Sequence, residues 1–242
     1  MSNIAVIFAG GTGKRMNTKT VPKQFLELHG KPILIHTLEK FDRHPLIDGV
    51  ILVVLREWIG HAEELAQKYG IKKLRAVVAG GSTAMSSQRN GLLKAVELFP
   101  RDSIVLIHDG VRPLIDEKTI TKNIETVREK GCAITVAPAI ETITIKTENG
   151  EIGEIIERSK VELARAPQSF VLESILDAHA RAEAEGLEFI DSASMMKHYG
   201  FKLFTVAGPA ENIKITTPND YYMFKALVEA RENSRIFGDQ DM

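Results

Sequence analysis

The chain has 242 residues, with 31 Lys and Arg against 32 Asp and Glu, so its formal charge is −1. Hydrophobic residues at 44% and charged residues at 26% are ordinary values that exclude intrinsic disorder, collagen-like repeats and a disulfide scaffold. A near-zero charge also removes a global basic footprint for DNA or RNA, so no nucleic-acid partner is expected.

A chain of this length buries roughly 70–75% of its unfolded surface, and α/β sheets often reach this size as one unit. Cys132 is the single cysteine, which rules out an intrachain disulfide and a Cys-rich zinc site. Apolar runs such as Val50–Leu55 are too short to cross a bilayer, and the N-terminus lacks a basic n-region. No membrane partner and a cytoplasmic location are therefore expected.

In chain order, Ile4–Phe8 reads as a buried strand that runs into a Gly-rich loop. Pro32 opens an amphipathic helix through Leu34, Leu38 and Phe41, since Pro is favoured in a first helical turn. Val50–Leu55 is a second strand, Trp58–Lys68 a helix closed by Gly70, and Arg75–Ala79 a third strand. Gly80-Gly81 precedes a Ser-capped helix to about Phe99, and Ile104–His108 is a fourth strand ending at Asp109. Apolar runs separated by helices predict a Rossmann-like α/β fold, a mostly parallel sheet with helices on both faces.

After Pro138 the pattern changes. Glu141–Lys146 alternates polar and apolar, Asn149-Gly150 is a type I′ turn signal, and Glu151–Glu157 alternates weakly. This predicts an inserted β-hairpin arm, about 139–165, within a single domain of residues 1–242. A lone hairpin is marginal, so it should pack against something, a second subunit being the natural candidate. Helices resume at Leu172–Gly186 and Ser192–His198. A strand at Leu203–Val206 and a helix from Pro218 complete the fold.

The chemistry begins at Phe8-Ala9-Gly10-Gly11-Thr12-Gly13-Lys14-Arg15-Met16. Small residues after a strand let backbone N–H groups approach a polyphosphate. The spacing is not that of a Walker loop, and Met16 stands where a dinucleotide fingerprint requires its third glycine. A bare Gly-rich turn is common, so the weight falls on Lys14, Arg15 and Lys23, three cations clustered near it. Further along come Gly80-Gly81 with Ser87, His108-Asp109-Gly-Val-Arg112, Glu141-Thr142, Arg158, Ala166-Pro167-Gln168, Asp191-Ser-Ala-Ser194 and Lys214. Asp109 at a strand's C-terminal end lies where open α/β sheets bind ligands. Lys214 falls in an apolar stretch that reads as a short strand, where an unpaired ammonium would be costly.

Taken in order, these motifs resemble the alditol-phosphate cytidylyltransferases, the family of 2-C-methyl-D-erythritol 4-phosphate and ribitol-5-phosphate cytidylyltransferases. The resemblance covers nearly the whole chain. It implies transfer of CMP from CTP to a polyol phosphate with Mg²⁺, in a homodimer held by the arm. It assigns Lys14, Arg15, Lys23 and Lys214 to catalysis. CTP would be bound by Phe8, Ala9, Gly10, Gly11, Thr12, Gly13, Gly80, Gly81, Ser87 and Asp109, with Asp109 also holding the metal. Thr142, Arg158 and Asp191 would bind the acceptor phosphate, the two arm residues reaching the neighbouring subunit's site. Arg112 is expected to orient Asp109, Asp220 to cap its helix and His108 to be structural. Ala84 replaces a usual family arginine, which removes one expected CTP contact.

The loop Ala9–Gly13 and Ile140 bring the chain closer to the ribitol-5-phosphate branch. Asp191 and Ser194 retain part of the isoprenoid-type pattern, so methylerythritol phosphate or another polyol phosphate stays open. From other classes, a dehydrogenase lacks its loop glycine. A non-catalytic scaffold would have lost Lys23, Asp109 and Lys214.

Overall fold

A strand covered on both faces must be apolar at every position, and the uninterrupted runs become the middle of one sheet. The computed structural model describes residues 1–11, 16 and 21–237, with side chains as far as residue 233. Its first half comprises β1 (Asn3–Ala9), the short pair β2 (Glu27–Leu28) and β3 (Lys31–Pro32), α1 (Ile33–Arg43), β4 (Gly49–Val54) and α2 (Ile59–Lys68). Then come β5 (Leu74–Ala79), α3 (Ala84–Leu98), β6 (Ile104–Asp109), α4 (Glu117–Lys130) and β7 (Cys132–Pro138). The remainder is β8 (Ile143–Lys146), β9 (Ile152–Ile156), β10 (Glu162–Val171), α5 (Leu172–Glu185), α6 (Ser192–His198), β11 (Thr205–Ala207) and α7 (Pro218–Phe237).

Seven strands form the main sheet in the order β11-β7-β10-β6-β1-β4-β5. All neighbours are parallel except β10, which runs antiparallel to both β6 and β7. Alternate residues of β1 feed opposite layers. Ala5 and Ile7 pack with Leu34 and Leu38 of α1 and Ile120 and Ile124 of α4. Ile4 and Val6 pack with Leu92 of α3, Ile175 of α5 and Met195 of α6. Helices therefore cover both faces, as the apolar runs predict.

Several local expectations need correction. α3 is capped by Thr83 and not by a serine: its Oγ1 accepts from Ser86 N at 3.1 Å, while Ser86 Oγ accepts from Thr83 N at 2.9 Å. Asn149-Gly150 does not make a type I′ turn, because only Gly150 is left-handed there, at φ 85°. Gly150 N donates to Thr147 O, and a register shift between Ile145 and Lys146 absorbs the extra residue. Lys214 lies in a loop and not in a strand.

Elements not anticipated from the sequence are the short pair β2 and β3, together with α4, β7 and β10. β10 contains Pro167, which argues against an interior strand because it cannot donate to the ladder. The structure places it where the pairing of β10 with β7 shifts register, between Ala164 and Gln168.

Helix α3 sits close on the sheet because Gly91 has no side chain. A Cβ there would lie 2.6 Å from Val6 Cγ1 and 2.7 Å from Val53 Cγ2. Gly91→Ala is expected to lower stability by about 1–3 kcal/mol through overpacking. A fall in the denaturant midpoint at unchanged m-value checks this.

Candidate active site

Strands β1, β5 and β6 end on the same edge, and their following loops build a cleft there. The cleft has two lobes. The larger, about 360 Å³, is lined by Phe8–Gly11, Lys23, Gly81, Ser87 and the edge of Asp109. The smaller, about 150 Å³, is lined by Gln88, Arg112, Arg165, Gln168, Asp191 and Ser192. Phe8, Ala84, Asp109 and Lys214 border both.

Asp109, the last residue of β6, is buried between two cations. Arg112 Nε donates to its Oδ2 at 2.7 Å, and Lys214 Nζ approaches its Oδ1 at 2.6 Å. Burial alone would raise this carboxyl's pKa. The Arg112 and Lys214 charges and their hydrogen bonds overcome that and hold it down at about 2. Asp109 is therefore ionised at any working pH. Arg112 also donates from Nη1 to Asn212 O at 2.9 Å, and Asn212 Nδ2 donates to Ala166 O at 3.0 Å. Ile215 N bonds Val111 O at 3.0 Å, so the loop carrying Lys214 is pinned on either side of it. Lys214 Nζ also lies 5.9 Å from the Phe8 ring centroid.

His108 is sealed in the core. Its Nε2 is 3.1 Å from Arg112 O, and burial drives its pKa down to about 4. It is a neutral structural residue that fixes the turn after β6.

The Gly80-Gly81 segment packs tightly on the start of α3. A Cβ on Gly80 would lie 3.0 Å from Ser87 Oγ, and one on Gly81 would lie 2.6 Å from Ser86 Cβ. Ser87 Oγ accepts from Gly81 N at 3.0 Å and donates to Thr83 O at 2.8 Å, which closes the Gly80-Gly81 loop on α3. One acceptor lone pair of that hydroxyl remains. Lys23 is nearly buried in a single helical turn, Lys23–Phe25. That turn is held by Gln24 Nε2 donating to Ala9 O at 2.6 Å and by Phe25 stacking on Trp58 at 4.9 Å.

Of the residues singled out from the sequence, Phe8, Ala9, Gly10, Gly11, Lys23, Gly81, Ser87, Asp109 and Lys214 line the larger lobe. Gly80 extends β5, its N–H bonded to Val54 O at 2.7 Å. Thr12, Gly13, Lys14 and Arg15 lie outside the described residues. Asp191 lines the smaller lobe and also caps α6, accepting from Ser194 N at 2.8 Å. Asp220 binds the N–H groups of Thr216 and Thr217 at the start of α7, as expected of a cap. Thr142 and Arg158 line neither lobe of their own chain. Arg158 Nη1 instead donates to Ile140 O at 3.2 Å.

Sequence reasoning missed Gln24, Gln88, Arg165 and Asn212. Gln24, Gln88 and Asn212 hydrogen-bond segments far apart in the chain, and Arg165 is brought to the lobe beside Arg112 only by the fold.

Among the described residues no helix is long and apolar enough to cross a membrane. Residues 3–230 match the family model IspD, 2-C-methyl-D-erythritol 4-phosphate cytidylyltransferase. A ribitol-5-phosphate cytidylyltransferase of Streptococcus agalactiae serotype V is 48% identical, covering 98% of this chain and 100% of the relative. Another, from Vibrio parahaemolyticus, is 46% identical over 98% of this chain and 100% of its own. The crystal structure of 4-diphosphocytidyl-2C-methyl-D-erythritol synthase from Anaerococcus prevotii superposes with a TM-score of 0.83 at 29% identity, covering 94% of this chain and 96% of that one. With its glycine-lined cleft and that match across almost the full length, the chain belongs to the IspD family and is a CTP-using nucleotidyltransferase.

Proposed function

We propose that the chain transfers CMP from CTP to ribitol 5-phosphate, giving CDP-ribitol and pyrophosphate. The observation that carries this reading is the Asp109–Lys214 pair standing where the two lobes join. The larger lobe has the glycine backbone and Lys23 for a triphosphate, and the remaining lone pair of Ser87 Oγ suits the exocyclic amine of cytosine. The smaller lobe takes the acceptor, and the names of the relatives at 46–48% identity favour ribitol 5-phosphate. A second reading, with 2-C-methyl-D-erythritol 4-phosphate as acceptor, is supported by the family model's own description.

In the proposed reaction an oxygen of the acceptor phosphate attacks the α-phosphorus in line. The bond from that phosphorus to the bridging oxygen breaks, and pyrophosphate leaves with the electron pair. A phosphate monoester is already anionic near neutrality, so no strong base is needed. The chain's part is positioning and charge neutralisation. Lys214, held by Asp109, faces the reacting phosphates from the lobe junction, and Lys23 faces them from the far wall. Lys14 and Arg15 would add positive charge along the glycine loop.

Mg²⁺ would be held through Asp109, the one carboxylate lining the larger lobe among the described residues, by the lone pairs that its bonds to Arg112 and Lys214 leave free. Mg²⁺ commonly uses one or two carboxylates and completes its shell with water and phosphate oxygens. Bound there, it would neutralise phosphate charge.

The arm is read as the dimer contact. On the two-stranded hairpin Ile152 and Ile155, on one face, are 66% and 65% exposed and Ile145, on the other, 49%, with Ile140 before it 74% exposed, apolar area that calls for cover. A second copy of the chain would cover it, with Thr142 and Arg158 reaching the neighbouring acceptor lobe.

Pyrophosphate release from CTP across a panel of polyol phosphates tests the reaction. Ribitol 5-phosphate should give the highest kcat/KM, and a preference for methylerythritol phosphate would replace the first reading by the second. Lys23→Ala and Lys214→Ala should each lower turnover at least about 100-fold, roughly 2.7 kcal/mol, with folding intact by circular dichroism. The arm is tested by complementation. Mixed Lys214→Ala and Arg158→Ala subunits should recover activity that neither variant has alone, whereas an arm acting on its own chain would give none.

A further inference from the structure

The smaller lobe contains a cation to which nothing above gives a role. Arg165 lies on β10 just before the Ala166–Pro167 bond and lines this lobe beside Arg112, Gln168 and Asp191. Its Nε is sealed from solvent and has no hydrogen-bond partner. No carboxylate among the described residues pairs with its guanidinium. Asp109 is occupied by Arg112 and Lys214. Asp191, the other carboxylate lining the lobe, accepts from Ser194 through Oδ1 and from Gln168 Nε2 at 2.8 Å through Oδ2.

A half-buried guanidinium without a counter-ion is unfavourable, and here burial and the like charge of Arg112 both act against it. Lining the lobe are three cations, Arg112, Lys214 and Arg165, against two carboxylates, Asp109 and Asp191. A dianionic ligand would satisfy Arg165 without disturbing either carboxylate network.

We infer that Arg165 binds the acceptor's phosphate from within the same chain, its planar fork taking two phosphate oxygens beside the Asp109–Lys214 junction. This rests on the proposed reading of the smaller lobe as the acceptor site. It adds to the arm residues a ligand present in every subunit whether or not a neighbour's arm is in place. Gln168, anchored to Asp191 and to Ala193 N at 2.8 Å, stiffens the strand on the far side of Pro167 and so holds Arg165 in place.

The test compares Arg165→Gln and Arg165→Lys with the unaltered enzyme. For the better acceptor of the panel, Arg165→Gln should raise the acceptor KM at least about tenfold, the scale of one lost charge-assisted pair. The CTP KM should stay within about twofold, and Arg165→Lys should recover part of the loss. Calorimetric titration of ribitol 5-phosphate or methylerythritol phosphate, with a nonhydrolysable CTP analogue present, should show the same weakening without turnover. An unchanged acceptor KM and affinity in Arg165→Gln would overturn the inference while leaving the cytidylyltransferase reading standing. So would equal rises in both KM values with a lowered melting temperature, which would mark a structural role. If the unaltered enzyme released no pyrophosphate with any acceptor, the reaction reading would fail, and the titration would still decide the role of Arg165.

Discussion

A carboxylate buried at the end of β6 organises the whole site. Asp109 is tolerable there because Arg112 and Lys214 approach its two oxygens from opposite sides of the chain. Removing either cation would leave one oxygen of the buried carboxylate without its partner, so the three residues form one unit. Through Asn212 the same unit reaches Ala166, which couples the loop before α7 to β10. The sheet's C-terminal edge, the antiparallel strand and the last loop therefore have one shared electrostatic centre.

That centre explains why the cleft has two lobes. Parallel strands β1 and β6 place the glycine turn and Asp109 side by side, with Phe8 paired to Asp109 in register. The antiparallel β10 then enters between β6 and β7 and carries Arg165 and Gln168 to the other side of Asp109. A purely parallel sheet would have put a strand's finishing end there; the reversed strand brings its first half instead. One reversed strand thus turns a nucleotide-binding edge into a junction with room for two anionic ligands.

Small residues open the larger lobe. Gly10, Gly11 and Gly81 line it, and Ala84 borders both lobes beside Phe8, Asp109 and Lys214. Gly110 serves the same end from below, because a Cβ there would lie 2.9 Å from Ala9 Cβ and push β1 away from the turn after β6. Close approach of backbones sets the cleft's dimensions, and polar side chains then populate it.

The first four parallel strands, most flanking helices and the hairpin were legible in the sequence, because hydrophobic period and turn residues are local signals, while α4, β7 and β10 were not. Lys23, Asp109 and Lys214 were legible as types in order, through the family resemblance, and they do converge on one cleft. Tertiary structure alone decided that Asp109 takes Lys214 as a second cationic partner beside Arg112. It alone revealed Arg165 as a cation without a counter-ion among the described residues. The reason is physical. A strand or a cap is specified by neighbours a few residues away, whereas charge compensation depends on groups as far apart as Asp109 and Lys214, brought together only when the chain folds.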